Sequence, residues 1–119
     1  MDESILLSIK KMLGIDPDYD SFDTDIILNI NTVLMVLCQI GVGVSGFTIT
    51  GDSETWSEFL NGNKDFEAVK TYVYLRVRLI FDPPTSSFVV EALKQQASEL
   101  EWRLYIQADG GDYEWGTQT

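Results

Sequence analysis

The sequence contains no histidine and only one cysteine, Cys38. The absence of histidine excludes a Ser-His-Asp triad, a histidine metal site and a histidine pH switch. A single cysteine excludes an internal disulfide, a Cys-x-x-Cys redox pair and a cysteine-based zinc site. The neighbours of Cys38 are apolar, whereas a reactive thiol needs an electropositive setting, so we expect a buried thiol rather than a nucleophile.

Basic residues are scarce. The chain has 8 Lys and Arg against 19 Asp and Glu, which gives a net charge of −11 and a pI near 4.1. A protein that grips nucleic-acid phosphates needs a surplus of Lys and Arg on its binding face. The composition therefore argues against a nucleic-acid-binding protein.

Long hydrophobic runs are also missing. The longest strongly apolar stretch lies near residues 33–38, which is far too short to span a bilayer. The N-terminal residues 1–4 lack the positively charged start of a signal peptide. We therefore expect no membrane partner and a reduced, soluble, cytoplasmic setting.

The remaining composition is that of a globular protein, with 45% hydrophobic and 23% charged residues in a chain of 119 residues, the length of one domain. Apolar residues recur at three- and four-residue steps, which is typical of helices. We predict an all-α fold, a compact bundle of about five helices over 1–108, followed by an acidic, flexible C-terminal tail over 109–119. The predicted helices cover 4–13, 23 or 24 to about 40, 53–60, 65–81, and 86 or 87 to about 107.

Several side chains are assigned from their places along these helices. Lys10 and Lys11 are expected to point outward near the end of the first helix. Asp23 or Thr24 is expected to cap the second helix, and Ser53 the third. The second helix carries the widest apolar stripe. Leu28, Met35 and Val36 lie beside that stripe, so we expect this central helix to be buried on more than one side.

A glycine-rich loop with a short extended segment is predicted between the second and third helices. Residues 41–46 contain three glycines, but they lack the Gly-Lys-Ser/Thr ending of a phosphate-binding loop and follow a helix instead of a strand. The alternation over 47–50 predicts an extended piece. Because a lone strand cannot satisfy its own backbone groups, it needs a partner, and a neighbouring subunit is one source.

No motif indicates catalysis or metal binding. Asp16, Asp18 and Asp20 have the spacing that opens a calcium-binding loop, but Ser21 stands where glycine is needed and Ile27 where a bidentate Glu is needed. Paired carboxylates two residues apart on a helix point in different directions. We therefore predict no enzyme, no cofactor and no metal site.

Four residues stand out as candidates for contacts with other chains. Arg76 and Arg78 lie amid dense apolar residues, where arginines are rarely left unpaired. Each is expected to meet an acid, either on the last helix of the same chain or in an intersubunit ion pair that sets the register of an assembly. Tyr113 and Trp115 in the tail are either disordered or anchors that order on binding a partner.

Several segments, in this order, resemble the small head–tail connector (adaptor) proteins of tailed bacteriophages, in particular those of phages of Gram-positive hosts. The resemblance covers roughly residues 5–108. The matching segments are Ile9-Lys-Lys-Met-Leu-Gly-Ile, Phe22-Asp-Thr-Asp-Ile-Ile-Leu-Asn-Ile-Asn, Gln39-Ile-Gly-Val-Gly, Phe66-Glu-Ala-Val-Lys-Thr-Tyr-Val-Tyr-Leu-Arg-Val-Arg-Leu-Ile-Phe-Asp-Pro-Pro and Glu99-Leu-Glu-Trp-Arg-Leu.

The resemblance implies a non-enzymatic virion protein at the head–tail interface, assembled in the host cytoplasm. Such proteins form a ring, usually of about twelve copies, beneath the portal protein, and extend the DNA channel toward a downstream tail-completion or stopper protein. DNA would pass through without specific binding. On this basis we assign Phe47 and Ile49 to contacts with a neighbouring subunit, and the C-terminal tail to the portal.

A second hypothesis comes from another class of protein. A small acidic binding module, such as a DNA-mimic inhibitor of a host enzyme, fits the composition equally well. It would need its acids spaced like phosphates on one surface, whereas here they are scattered among loops and helix faces. A connector should form rings, whereas a mimic should stay small and bind basic enzymes.

Overall fold

Five helices form in the residues that the computed structural model describes, which are 3–62 and 66–108. The predicted all-α fold is confirmed. The tail 109–119 lies outside the described residues, as does Asp65, where we expected the fourth helix to begin. The helices are α1 (Ile5–Leu13), α2 (Asp23–Gln39), α3 (Trp56–Leu60), α4 (Phe66–Phe81) and α5 (Ser87–Ala108).

The core lies between α1, α2 and α4, which pack against one another, while α5 packs along the outer side of α4. The apolar stripe of α2 contributes five fully or almost fully buried side chains. By contrast, α5 has only two buried residues, Ala97 and Leu104, over its 22 residues. Most of the surface of α5 is therefore exposed. The buried residues of α2 are Ile26, Ile30, Val33, Leu34 and Leu37.

Lys10 is fully buried, so the prediction that it points outward is wrong. Its Nζ donates to the backbone carbonyls of Pro17 at 3.1 Å and Tyr19 at 2.8 Å, and lies 2.7 Å from Oδ1 of Asp23. An ammonium has three N–H donors, and these three acceptors satisfy them. The acidic linker between α1 and α2 folds over Lys10, which explains how the charge is accommodated in the core. Lys11 is exposed, as expected.

The ends of α2 and α3 differ from the predictions. Neither Asp23 nor Thr24 caps α2, because the N-cap position is Phe22 and no side chain caps the helix there. The carboxylate of Asp23 pairs with Lys10 instead. Thr55, rather than Ser53, caps α3 in a capping box with Glu58. That box needs a Glu three residues after the cap, which Thr55 has and Ser53 lacks.

The segment before α3 is joined to the N-terminus. The backbone N–H of Ile5 donates to the carbonyl of Glu54 at 3.0 Å, and that of Trp56 donates to Glu3 at 3.1 Å. The indole N–H of Trp56 donates to the hydroxyl of Ser8 at 2.7 Å inside the core. These bonds connect α1 and α3, although 48 residues separate Ser8 from Trp56.

The segment 47–50 finds its partner within the chain. The side chain of Asn31 on α2 accepts from the backbone N–H of Ile49 at 2.8 Å and donates to its carbonyl at 3.0 Å. No strand is assigned to residues 47–50, which the structure describes in full. One amide side chain therefore does for Ile49 what a neighbouring strand would do, and no second subunit is required for it.

The glycine-rich loop packs closely on α3. Gly43 has φ +83°, and a Cβ there would lie 2.3 Å from the ring of Phe59. The backbone N–H of Val44 donates to the carbonyl of Phe59 at 2.9 Å. Only glycine permits this approach, since it has no Cβ and readily adopts a positive φ.

Candidate functional site

Arg76 pairs with an acid of the same chain. Its Nη2 lies 3.0 Å from Oε1 of Glu101 on α5, and its Nε donates to the hydroxyl of Tyr72 at 3.2 Å. Tyr72 in turn donates to Glu101 at 2.7 Å. Of the two alternatives for Arg76, the structure shows the intrachain pair with the last helix. The three side chains form a closed network that joins α4 to α5.

Burial and charge affect the two cationic and phenolic groups of this network differently. Burial raises the pKa of Tyr72, and its hydrogen bond to Glu101 raises that pKa further. Burial tends to lower the pKa of Arg76, but contacts with Tyr72 and then Glu101 outweigh it, and the pKa is raised overall. Both shifts stabilise a charged guanidinium beside a neutral tyrosine.

Arg78 contacts a tyrosine rather than the acid that we expected. Its Nη1 donates to the hydroxyl of Tyr74 at 2.9 Å. Tyr74 raises the pKa of Arg78, with a smaller contribution from the charge of Asp82. The Nε of Arg78 is buried and has no hydrogen-bond partner among residues 3–62 and 66–108. Arg78 thus keeps hydrogen-bonding capacity that Arg76 has already used.

Phe47 and Ile49, both predicted to meet a neighbouring subunit, occupy different environments. Ile49 is 1% exposed and belongs to the core of its own chain, so its side chain is not part of the surface. Phe47 is half-buried, with its ring centroid 5.4 Å from that of Phe59. Phe47 is therefore the residue of this pair that another molecule can reach.

A groove of about 600 Å³ lies beside Phe47, and we call it the α2 groove. It is lined by one face of α2 between Leu28 and Gln39 and by loop residues 45–48, all uncharged. Leu28 and Met35 are 65% and 55% exposed, so the expectation that α2 is buried on both of these sides is wrong. Both fall outside the three- and four-residue steps of the buried stripe, and that offset is the signal that predicts their exposure.

Cys38 also lines the α2 groove. It is half-buried instead of buried, and its Sγ donates to the carbonyl of Val44 at 3.1 Å. The residue lies at the margin of the apolar stripe, where α2 turns from the core to the surface. The expected fully buried thiol is therefore corrected to a partly accessible one.

Further aromatic side chains are exposed at other places on the surface. The rings of Tyr19 and Phe22 meet edge to face with centroids 5.5 Å apart, and Phe22 meets Phe81 in the same way at 5.3 Å. On α5, Phe88 is 82% exposed and Trp102 is 55% exposed. Sequence periodicity did not find these residues, because it identifies the buried face of a helix and not a second apolar face.

Two sets of predicted residues need separate mention. Asp16 accepts a hydrogen bond from the backbone N–H of Asp18 at 2.8 Å, as in a polar turn. Within residues 3–62 and 66–108, no group of three or more acids or cysteines is placed to hold a metal ion. Tyr113 and Trp115 lie outside the described residues.

A small, acidic, all-helical chain with exposed apolar faces on α2 and α5 belongs to the class of structural proteins that act through their surfaces. Residues 5–111 match the family described as Phage connector protein. The chain belongs to this phage connector protein family, and the predicted resemblance is confirmed. No curated protein and no solved structure matches the chain.

Family membership indicates a structural connecting role in a bacteriophage and contacts with other head or tail proteins of the virion. Among the helices of the described part of the chain, none is both long and apolar enough to cross a bilayer.

Proposed function

We propose that this chain forms a ring, of about twelve copies in the virion, that docks beneath the portal and joins the phage head to the tail. The match of residues 5–111 to the phage connector family carries this proposal. The ring extends the DNA channel, and DNA passes through it without specific binding. The role is structural, without catalysis, cofactor or membrane partner.

The net charge of −11 supports a channel function. Acidic subunits around a pore repel the phosphates of the duplex, so the DNA does not adhere to the wall. A binding groove would need the opposite sign of charge. The chain assembles in the host cytoplasm and then becomes part of the head–tail interface of the virion.

A ring requires two different patches on each subunit, because its interfaces are head-to-tail. We assign one patch to the loop around Phe47, with Ile49 holding that loop from within the core. Arg78 supplies a cation for an intersubunit ion pair, since its contact inside the chain is the neutral Tyr74. Arg76 is engaged with Glu101, and its role is to hold α5 against α4.

The C-terminal tail is assigned to the portal, with Tyr113 and Trp115 as its anchors. Residues 1–108 then form the helical domain of the ring, and 109–119 the segment that reaches the adjoining protein. A downstream tail-completion or stopper protein binds the opposite end of the ring. Deletion of 109–119 should abolish portal docking and leave the helical CD spectrum intact. Docking that is unchanged by the deletion would contradict the assignment of the tail.

The test of the ring is the molar mass, measured by light scattering, of the purified chain mixed with its candidate portal, with each component alone as the control. A mass increase that corresponds to a ring of added subunits supports the proposal. A large ring formed by the chain alone also supports it and shows that the portal is not needed as a template. A monomer or dimer that never joins the portal contradicts it and favours the small acidic module that blocks a basic host enzyme.

A charge-matched pair of variants tests the interface. Arg78→Gln should weaken ring formation several-fold, whereas Lys94→Gln removes the same charge from the exposed side of α5 and should have little effect. Equal loss in both variants would indicate that only the net charge matters.

A further inference from the structure

The α2 groove lies beside the point where the helical domain ends. A Cβ placed on Gly41 would lie 3.0 Å from the Cβ of Ala108, so the last residue of α5 contacts the chain just after α2. Cys38 and Gln39 at the near end of the groove precede Gly41 by only two or three residues. The tail therefore leaves the domain at one end of an exposed apolar groove.

We propose that the C-terminal tail of the same chain occupies the α2 groove, with Tyr113 and Trp115 as the side chains that fill it. The groove holds about 600 Å³ and its lining carries no charge. Leu28, Met35 and Phe47 provide the apolar surface. The sulfur atoms of Met35 and Cys38 are favourable neighbours for aromatic rings.

The length of the tail fits this path. Five residues separate Ala108 from Tyr113 and seven separate it from Trp115, which span at most about 18 Å and 25 Å when extended. The groove runs along α2 from Gln39 back to Leu28, a helical distance of about 16 Å. Gly110 and Gly111 follow the helix end, where glycines allow the chain to reverse direction.

Attachment to the same chain favours this occupant over a second copy. A short flexible linker gives its ends an effective concentration in the millimolar range, far above that of a free partner in dilute solution. Asp112 and Glu114 alternate with the aromatic residues, so a tail that turns its rings toward the groove keeps its carboxylates in water. No charged residue of the lining opposes them.

One consequence for assembly rests on the proposed function. A covered groove keeps Phe47 from a neighbouring copy until the tail leaves to bind the portal. Groove occupation by itself involves one chain and requires neither a ring nor a portal. The experiment therefore uses the isolated chain, and a failure of portal docking would not alter its result.

Cys38 serves as a reporter because it is the only cysteine and it lines the groove. We introduce Gly116→Cys in the full-length chain and measure the rate of disulfide formation with Cys38 in a glutathione buffer by mass spectrometry. The control carries Gly116→Cys together with Tyr113→Ala and Trp115→Ala, which keeps the same tether and lacks the anchors. CD spectra establish that both variants fold.

We expect an intramolecular disulfide that forms at least tenfold faster with the anchors than without them. Without Gly116→Cys, the thiol of Cys38 should react severalfold more slowly with a small alkylating reagent in the natural chain than in Trp115→Ala. Equal disulfide rates in the two variants would overturn the proposal, because the tether alone would then explain the bond. Predominantly intermolecular disulfides would overturn it too, since the occupant would then be a second copy.

Discussion

The side chain of Asn31 makes both backbone hydrogen bonds of Ile49, at 2.8 Å and 3.0 Å, and thereby fixes the loop that follows α2. This contact lets Ile49 enter the core while its backbone polar groups remain satisfied. The loop that presents Phe47 is consequently attached to the helix that forms the floor of the α2 groove.

Asn31→Ala should lower the free energy of unfolding by about 1–3 kcal/mol, because it leaves the buried N–H and carbonyl of Ile49 without partners. The measurement is urea denaturation followed by CD. Asn29→Ala is the matched control, since it makes the same change two residues earlier on α2 and gains the same helix propensity. A similar loss in both variants would show that the Asn31 contact contributes little.

Lys10→Met should destabilise the chain by about 2–4 kcal/mol, because it removes a buried ammonium from two carbonyls and from Asp23. Lys11→Met is the control, since that neighbour is exposed and carries the same charge. The midpoints of urea unfolding compare the two. If Lys11→Met proves equally costly, the buried contacts of Lys10 are not the source of the stability.

Gly43→Ala should be markedly less stable than Gly46→Ala. Both glycines have a positive φ, at +83° and +78°, so both variants incur the same backbone strain. Only at position 43 would the new methyl group also collide with the ring of Phe59. We expect the difference to be about 1–3 kcal/mol, the usual cost of overpacking, and thermal unfolding measures it. Equal melting temperatures would contradict the close approach of the loop to α3.

Stability should fall as the pH rises above the usual tyrosine pKa of 10.0. Burial and Glu101 raise the pKa of Tyr72 in the folded state, so the unfolded chain loses its proton first. The stabilisation from neutral Tyr72 is complete below pH 10 and is lost as the pH climbs through the raised pKa. Tyr72→Phe should reduce this decline and cost about 1 kcal/mol at pH 7.

Tyr105→Phe serves as the control for that pH dependence, because Tyr105 is 45% exposed. Urea unfolding between pH 8 and pH 11 provides the comparison. A decline that is identical in the natural chain and in Tyr72→Phe would refute the role of Tyr72.

Most of the helices could be predicted from the sequence because burial repeats with the period of the helix. The stripe from Ile26 to Leu37 on α2 shows this, since one continuous apolar face needs no knowledge of what covers it. The same reasoning placed Leu28 and Met35 in the interior. Whether a second apolar face is covered depends on the neighbouring elements, and here none lies over it.

The candidate surface was only partly predictable. Phe47 was identified from its place in the loop, and Ile49 was grouped with it because the two are close in sequence. Their separation into surface and core depends on Asn31, which lies 18 residues earlier. Likewise, Arg76 and Arg78 have nearly identical surroundings in the sequence, but only Arg76 faces Glu101 on α5.

The sequence alone determined the all-α class, the acidic character and the segments by which the phage connector family is recognised, because composition and helical periodicity are local properties of the chain. The tertiary structure decided which side of each helix meets solvent and which partner each polar group has. Lys10 illustrates the difference: a lysine at a helix end is ordinarily exposed, and only the fold of the linker over α1 brings three acceptors to its ammonium. Such contacts join residues distant along the chain, and local pattern carries no information about them.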